Sequence, residues 1–449
     1  MNQFETYRNQ YPNFIYKQYH LIEEENNLKI TYDFEIENLK EFHPSLTIPK
    51  EIITTNVNQD FLKELVFHLG LVELVSYFKC TCSKNVIIQA GYLNKDQIAF
   101  FKKLYYLGLG EFLYTNHIEI AEQDLMNVII DHPISKIPKI DYKGNGNLIP
   151  VGGGKDSCVT LELLKNMDNT CFAINPKEAN LACIEQSGKK AIYVKRTIDK
   201  NLIELNKQGF LNGHTPFSAI VAFTSYIVSY LSGKKYIVLS NEGSANESTV
   251  LGTKINHQYS KTYEFEQDFN HYVKTYFQID IHYFSFLRPL SEFQIGMIFS
   301  SLKSYHKIFK SCNVGSKNEN WNWCCKCPKC LFVYMILRPF LTKQEMLAIF
   351  HEDLYENKEL LNTFQELLGY AKTKPFECVG TYKEARYAVS TSIQKETNLP
   401  YLLTYYKEHY PLEFDFDTNG YNHQNNLPEE FEQALRKELE KYVQQNHSK

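Results

Sequence analysis

No sign of charge dominates this sequence, in which 48 Lys and Arg stand against 52 Asp and Glu for a net charge of −4. A general DNA or RNA binder needs a basic field, so nucleic acid is not an expected partner. Nor is there an apolar stretch long enough to span a membrane. The longest, Phe217–Leu231, is interrupted by Ser and Thr and predicts a buried helix. The opening residues, Met1-Asn2-Gln3-Phe4-Glu5-Thr6-Tyr7-Arg8, lack a basic region followed by an apolar core, so no secretory leader is read and a cytoplasmic protein is expected. Internal repeats are missing. So are the dinucleotide fingerprint G-x-G-x-x-G and the Gly-Lys-Ser/Thr ending of a Walker loop, which sets aside two common nucleotide sites. Eleven Cys without an export signal point to reduced thiols or metal ligands, not to a disulfide framework.

What is present centres on residues 147–164, which read as an apolar strand, a glycine loop and the start of a helix. Gly152, Gly153 and Gly154 allow positive φ and bring backbone N–H groups close to an anion. Lys155, Asp156 and Ser157 then open the helix, whose first N–H groups and dipole favour phosphate. The alternative is a glycine-rich strand-to-helix turn that holds nothing.

At 449 residues the chain exceeds what one core usually serves. Residues 1–145 read as an α+β domain, with a strand over Leu28–Ile36 and helices over Phe61–Phe78 and Lys95–Leu107, the latter ending at Gly108 and Gly110. Cys80 and Cys82 stand too close for a zinc knuckle and read as small buried residues. Residues 146–335 alternate strand and helix, which predicts an α/β, doubly wound parallel sheet with strands at Leu148–Val151, Thr170–Ile174, Lys190–Val194, Tyr236–Ser240 and Ile279–Phe284. Residues 336–449 read as mainly helical, with helices over Phe350–Leu368, Tyr382–Lys395 and Glu429–Gln445, a Thr381/Glu384 capping box and a polar linker at Asp415–Asn426.

Ligands of such a sheet gather beyond the carboxyl ends of the strands. There stand His214-Thr215-Pro216, with Thr215 as an N-cap and Pro216 in the first turn of a helix. There too is Ser240–Glu247, rich in small hydrogen-bonding groups and equally readable as a solvated loop. Asn256-His257-Gln258-Tyr259-Ser260-Lys261 packs amide, imidazole, hydroxyl and ammonium groups into one segment, which suits a substrate. Further on, Cys312, Cys324, Cys327 and Cys330 follow C-x11-C-x2-C-x2-C, with Cys325 as an extra thiol. Four thiolates at this spacing fit a structural Zn²⁺, with an iron–sulfur cluster as the alternative.

The loop resembles the S-G-G-x-D-S pyrophosphate loop of the ATP pyrophosphatases, with Gly152 where that family usually has Ser. Together with the Cys cluster it resembles the 7-cyano-7-deazaguanine synthases, which are much shorter. The whole chain is more similar to the peptidoglycan-precursor epimerases acting on UDP-N-acetyl-α-D-muramoyl-L-alanyl-L-glutamate. The stretches carrying that likeness are Phe67–Gly70, Ile149–Ser157, Ser240–Glu242, Asn256–Gln258, Cys327–Cys330 and Lys374–Gly380. The resemblance implies a PP-loop fold of the adenine nucleotide alpha hydrolase type, with ATP, Mg²⁺ and a structural Zn²⁺ as cofactors and a UDP-muramoyl dipeptide as substrate. It implies phosphate binding by Gly152, Gly153, Gly154, Lys155 and Ser157, and Mg²⁺ binding by Asp156. Substrate contacts fall to Asn241, Glu242, Asn256 and Lys261, and the proton transfers of inversion to His257 and Cys378. Two other classes stay open: a carboxylate-activating synthase of the deazaguanine type or a related tRNA-modifying enzyme, and a nucleotide- or RNA-binding module without catalysis.

Overall fold

The computed structural model describes residues 2–54, 57–247, 256–312, 314–315, 322–371 and 373–447. Its strands are β1 (Asn13–Glu23), β2 (Asn27–Ile36), β3 (Lys40–Phe42), β4 (Ser45–Pro49), β5 (Asn85–Ile88), β6 (Asn127–Ile130), β7 (Asn147–Pro150), β8 (Asn169–Ile174), β9 (Lys190–Thr197), β10 (Tyr236–Leu239) and β11 (His282–Ser285). The architecture is mixed α/β with a helical C-terminal region. The chain forms two compact units: Met1–Leu148 with Ile192–Ile237 and Ile255–Tyr283, and Ile149–Ala191 with Val238–Lys254 and Phe284–Lys449. These units interleave along the sequence, whereas the sequence reading divides it into consecutive segments.

In the first unit strict alternation builds the sheet. Leu28, Ile30, Tyr32, Phe34 and Ile36 of β2 all face the core, as period-two patterning requires. β2 pairs antiparallel with β1, β3 and β4, and β4 with β9, while β5 lies parallel to β1 and to β6. The first unit is therefore a mixed sheet whose antiparallel part the sequence reading does not foresee, and short reversals such as Glu24–Asn26 make it possible. Helix Gln59–Phe78, capped by Asn58, is buried on nearly every side and packs on helix Phe217–Ser232. At Gly70 a Cβ would run into the Tyr16 and Tyr32 rings, so the missing side chain sets how close helix and sheet approach. The buried Glu73 carboxylate takes both Arg196 Nε and Nη2, at 2.7 and 2.8 Å, a bidentate pair that satisfies both charges. No helix among the described residues is long and apolar enough to cross a membrane.

β10 lies parallel to β7 in this unit, with Tyr236 opposite Asn147. In the second unit Val151 N–H donates to Phe172 O and Phe286 N–H to Leu239 O, both at 2.8 Å. Around these strand ends stand helices Lys155–Leu163, Glu178–Ser187 and Glu292–Ser301. The C-terminal region adds Pro328–Leu337, Lys343–Phe350, Leu361–Leu367, Tyr382–Lys395, Tyr401–His409 and Glu429–His447.

Three local readings need correction. The helix expected over Phe350–Leu368 is broken, because His351 takes a left-handed φ of 64° and ends one helix before Asn357 caps a new turn. Thr215 does not cap its helix; Pro216 is the cap residue, and Thr215 Oγ1 instead accepts from Lys79 Nζ at 2.7 Å. The stretch Asp415–Asn426 is irregular but anchored, with Asn422 N–H donating to Pro289 O and Gln294 Nε2 to Gly420 O.

Candidate active site

β7 delivers the chain to Val151, and the next three residues turn it into helix Lys155–Leu163. Gly153 sits at φ +77°, and a Cβ there would come within 2.9 Å of the Ala179 and Asn180 backbone. Only glycine lets the loop lie against that segment. The loop is pinned from outside: Lys310 N–H donates to Gly153 O at 2.9 Å and Asn180 Nδ2 to Val151 O at 2.8 Å. Gly154 is the N-cap, and no side chain caps the helix, so its leading N–H groups are left for an anion. Ser157 Oγ accepts from Gly152 N–H at 3.0 Å, which leaves the hydroxyl proton to donate. At Gly152 a Cβ would meet only Ser157 Oγ, at 3.7 Å. The space for a Ser in that position is therefore present.

Beneath the loop lies a charge cluster. Lys155 is 1% exposed, and its ammonium donates to the carboxylates of Asp156 and Glu292. Oxygens of Asp156, Glu242 and Glu292 all lie within 4.8 Å of one another. Burial would lower the Lys155 ammonium, but Asp156 and Glu292 beside it prevail and raise it. Burial pushes the Glu292 carboxyl up to about 8 against the pull of Lys155, with Asp156 and Glu242 adding to the rise. Burial dominates the rise at Glu292, whereas the two neighbouring carboxylates set the rise at Lys155. Glu292 Oε1, buried, has no hydrogen-bond partner among the described residues. A set of hard oxygen donors with surplus negative charge fits Mg²⁺.

Each carboxylate is placed by its backbone. Glu292 opens a helix begun by the Ser291/Gln294 capping box, and Glu384 Oε1 accepts its N–H at 2.6 Å. Arg288, fully buried, donates from Nη1 to Glu242 O at 2.9 Å and from Nη2 to Ser285 Oγ at 3.1 Å. Asn241 Nδ2 donates to the same Ser285 Oγ at 3.1 Å. A cavity of about 460 Å³ opens beside Ser244, Ser291 and Thr381, with Phe416 and Tyr421 on its walls. Its size is in the range of small-molecule pockets.

The four sulfurs gather as their spacing predicts. Sγ–Sγ distances are 3.9 Å for Cys312–Cys327, 3.7 Å for Cys324–Cys330 and 3.5 Å for Cys327–Cys330. A tetrahedron with Zn–S bonds of about 2.3 Å has edges of about 3.8 Å, so the donor set fits zinc. Gly315 N–H and Cys324 N–H donate to Cys312 Sγ. Cys325 turns away, its thiol donating to Phe350 O at 3.0 Å. Lys329, between two of the ligands, donates to the backbone carbonyl of Cys378, and two residues on a Cβ at Gly380 would come within 3.0 Å of Glu292 Cγ.

Asn256, His257 and Lys261 belong to the first unit. His257 Nδ1 lies 2.5 Å and His214 Nδ1 3.3 Å from Glu111 Oε2, with the two rings 4.5 Å apart. Asn256 Oδ1 accepts from Gln258 N–H and shapes the turn. Burial lowers His214 to about 4, with His257 adding to the fall.

Three of these residues escape the sequence reading. Glu292 follows a Ser at the start of a helix, where an acid is commonplace, and Glu111 sits inside a short helix. Arg288 carries no spacing signal. His214, read from the sequence either as lining a site or as a surface or capping residue, gains weight from its partners.

A family model described as the MurL N-terminal domain matches residues 5–286, and one described as the MurL C-terminal domain matches residues 308–406. Proteins named UDP-N-acetyl-alpha-D-muramoyl-L-alanyl-L-glutamate epimerase are similar over most of the chain. The one from Xanthomonas oryzae pv. oryzae is 34% identical over 330 residues, 72% of this chain and 73% of the relative. Those from Micromonospora sp. and Salinispora tropica are 33% and 35% identical, over 73% and 72% of this chain and 74% and 71% of theirs.

Proposed function

The chain belongs to the family of the MurL N- and C-terminal domains, and from that premise we propose that it inverts the terminal L-glutamate of UDP-N-acetylmuramoyl-L-alanyl-L-glutamate during peptidoglycan synthesis, at the cost of ATP. The observation that carries the reading is the uncapped helix start behind Gly152–Gly154, set over Asp156, Glu242 and Glu292.

The chemistry explains why ATP would be needed. A free carboxylate makes its α-proton hard to remove, because the carbanion adds negative charge to negative charge. Attack of that carboxylate on the α-phosphorus of ATP forms an acyl-adenylate and releases pyrophosphate. The neutral mixed anhydride withdraws electrons, the α-proton leaves to a base, and a proton returns on the opposite face. Water then cleaves the anhydride to give the D-glutamyl product and AMP.

In this reading the chain has a PP-loop fold. The amides of Gly152–Gly154 and the Ser157 hydroxyl hold the phosphates, and Lys155 fixes Asp156 and Glu292. Asp156, Glu242 and Glu292 would hold Mg²⁺, which neutralises phosphate charge. Cys312, Cys324, Cys327 and Cys330 would hold a structural Zn²⁺, and Lys329 ties that cluster to the Cys378 backbone. In the second unit Asn241 would contact substrate and Cys378 would carry a proton in the inversion. The reaction is cytoplasmic.

The test is to incubate the purified chain with ATP, Mg²⁺ and the UDP-muramoyl dipeptide, then measure AMP and the chirality of glutamate. D-Glutamate formed only with ATP, and AMP in step with it, is the expected result. Inversion without AMP, or AMP with uptake of ammonia into the product, would overturn it.

A further inference from the structure

We propose that Glu111, His214 and His257 form a second metal site, for a borderline divalent ion such as Zn²⁺, built wholly within the first unit. The three donors come from separate segments: the helix Gly110–Thr115, the loop before helix Phe217–Ser232, and the turn before Tyr259–Lys261. Their ligand atoms nevertheless converge within 4.8 Å of one another.

The detail of that convergence separates a metal site from a hydrogen-bonded cluster. Both imidazoles present Nδ1 to the same atom, Glu111 Oε2, at 2.5 Å from His257 and 3.3 Å from His214. One imidazole would suffice to orient a carboxylate. Two rings crowded to 4.5 Å between centroids around one oxygen form the corner of a coordination polyhedron. With metal–nitrogen and metal–oxygen bonds of about 2.0–2.2 Å, neighbouring ligands stand roughly 3.3–3.5 Å apart. The His214–Glu111 edge already has that length, and the His257 edge needs to open by less than about 1 Å. The closeness of the rings also argues against a pair of bases flanking a substrate carbon, since no substrate fits between them.

Donor chemistry selects the ion. Two nitrogens and one carboxylate suit Zn²⁺, Fe²⁺, Co²⁺ or Ni²⁺, whereas Mg²⁺ and Ca²⁺ demand several oxygens. Side-chain exposure of 19% for Glu111, 22% for His214 and 13% for His257 shields the ligands yet leaves an approach for an ion. Lys79 and Lys261 are cationic neighbours of His214. They oppose a bare cation but favour an anionic fourth ligand, a carboxylate or phosphate, at the open position.

The experiment reads metal content, so its failure is separate from failure of the proposed reaction. The full chain, made without a polyhistidine tag, is equilibrated with excess Zn²⁺, gel-filtered and analysed by atomic emission. Two Zn²⁺ per chain are expected, one released by a mercurial that attacks thiolates and one only by a chelator. Glu111→Gln, which keeps the shape of the side chain, and the double variant His214→Ala/His257→Ala should each lose the second equivalent and keep the first. Co²⁺ absorption without a thiolate charge-transfer band should disappear in the same variants. No Zn²⁺ beyond what the mercurial releases, or a chelator-released equivalent unchanged in folded Glu111→Gln, would overturn the proposal.

Discussion

His68 stands in the middle of an apolar helix and has no solvent exposure. Its Nδ1 faces Glu64 O at 2.7 Å and its Nε2 faces Gln97 Nε2 at 3.2 Å. Gln97 can only donate through that nitrogen, so the ring is held as the neutral tautomer with the proton on Nδ1. Burial among Phe67, Tyr272 and Phe277 lowers its pKa from 6.5 to about 4, against a small rise from the Glu64 carbonyl. A proton on Nε2 would set donor against donor in an apolar cage.

The unfolded chain therefore takes up this proton first as pH falls. Stability from His68 is present above pH 6.5 and is lost on the way down to about 4. Linkage over that interval gives a loss of about 2 kcal/mol between pH 7 and pH 5, and about 3 kcal/mol in full. Urea unfolding at pH 7 and pH 5 should show this loss in the native chain and not in His68→Gln, whose amide oxygen can accept from Gln97. All other titrating groups are common to the two proteins and cancel in the comparison. Equal pH dependence in both would refute the reasoning.

The loop gives a contrasting pair: Gly152→Ser should retain ATP cleavage, while Gly153→Ala, with its positive φ and a Cβ 2.9 Å from backbone, should lose at least about 10-fold in AMP release, since left-handed Ala costs about 1–2 kcal/mol before any clash. Lys155→Met leaves Glu292 buried without its ammonium and should cost roughly 3–5 kcal/mol in urea unfolding, with Lys155→Met/Glu292→Gln recovering much of it; additive losses would show that the two do not act as a pair. Removing metal from the Cys312–Cys330 cluster with a strong chelator should lower Tm by at least about 5 °C, because a structural zinc contributes folding energy directly; an unchanged Tm would argue against a bound ion.

Local signals were legible where one cause sets the structure. The glycine loop, the strand before it, the Thr381/Glu384 box and the four-sulfur cluster each follow from residue type and spacing, and the structure places all of them as read. Readings failed where a distant group intervenes. Lys79 claims the Thr215 hydroxyl, and His351 adopts a left-handed turn that no glycine announces. Glu292 and Glu111 are ordinary residues until chain segments far away in sequence bring partners to them. The interleaving of the two units is a property of which strands pair, and periodicity within a strand carries no information on its neighbour.

Glu384 has a consequence for how this protein can be dissected. One of its oxygens closes its own capping box on Thr381, and the other takes the backbone N–H of Glu292. A single side chain thus fastens a segment near residue 380 to the helix that carries a carboxylate of the candidate site. Trimming the C-terminal region to obtain a minimal nucleotide-binding fragment would cut through that fastening. The region after the cysteines is a structural member of the site, and soluble fragments ending before residue 384 should be poor surrogates for the intact chain.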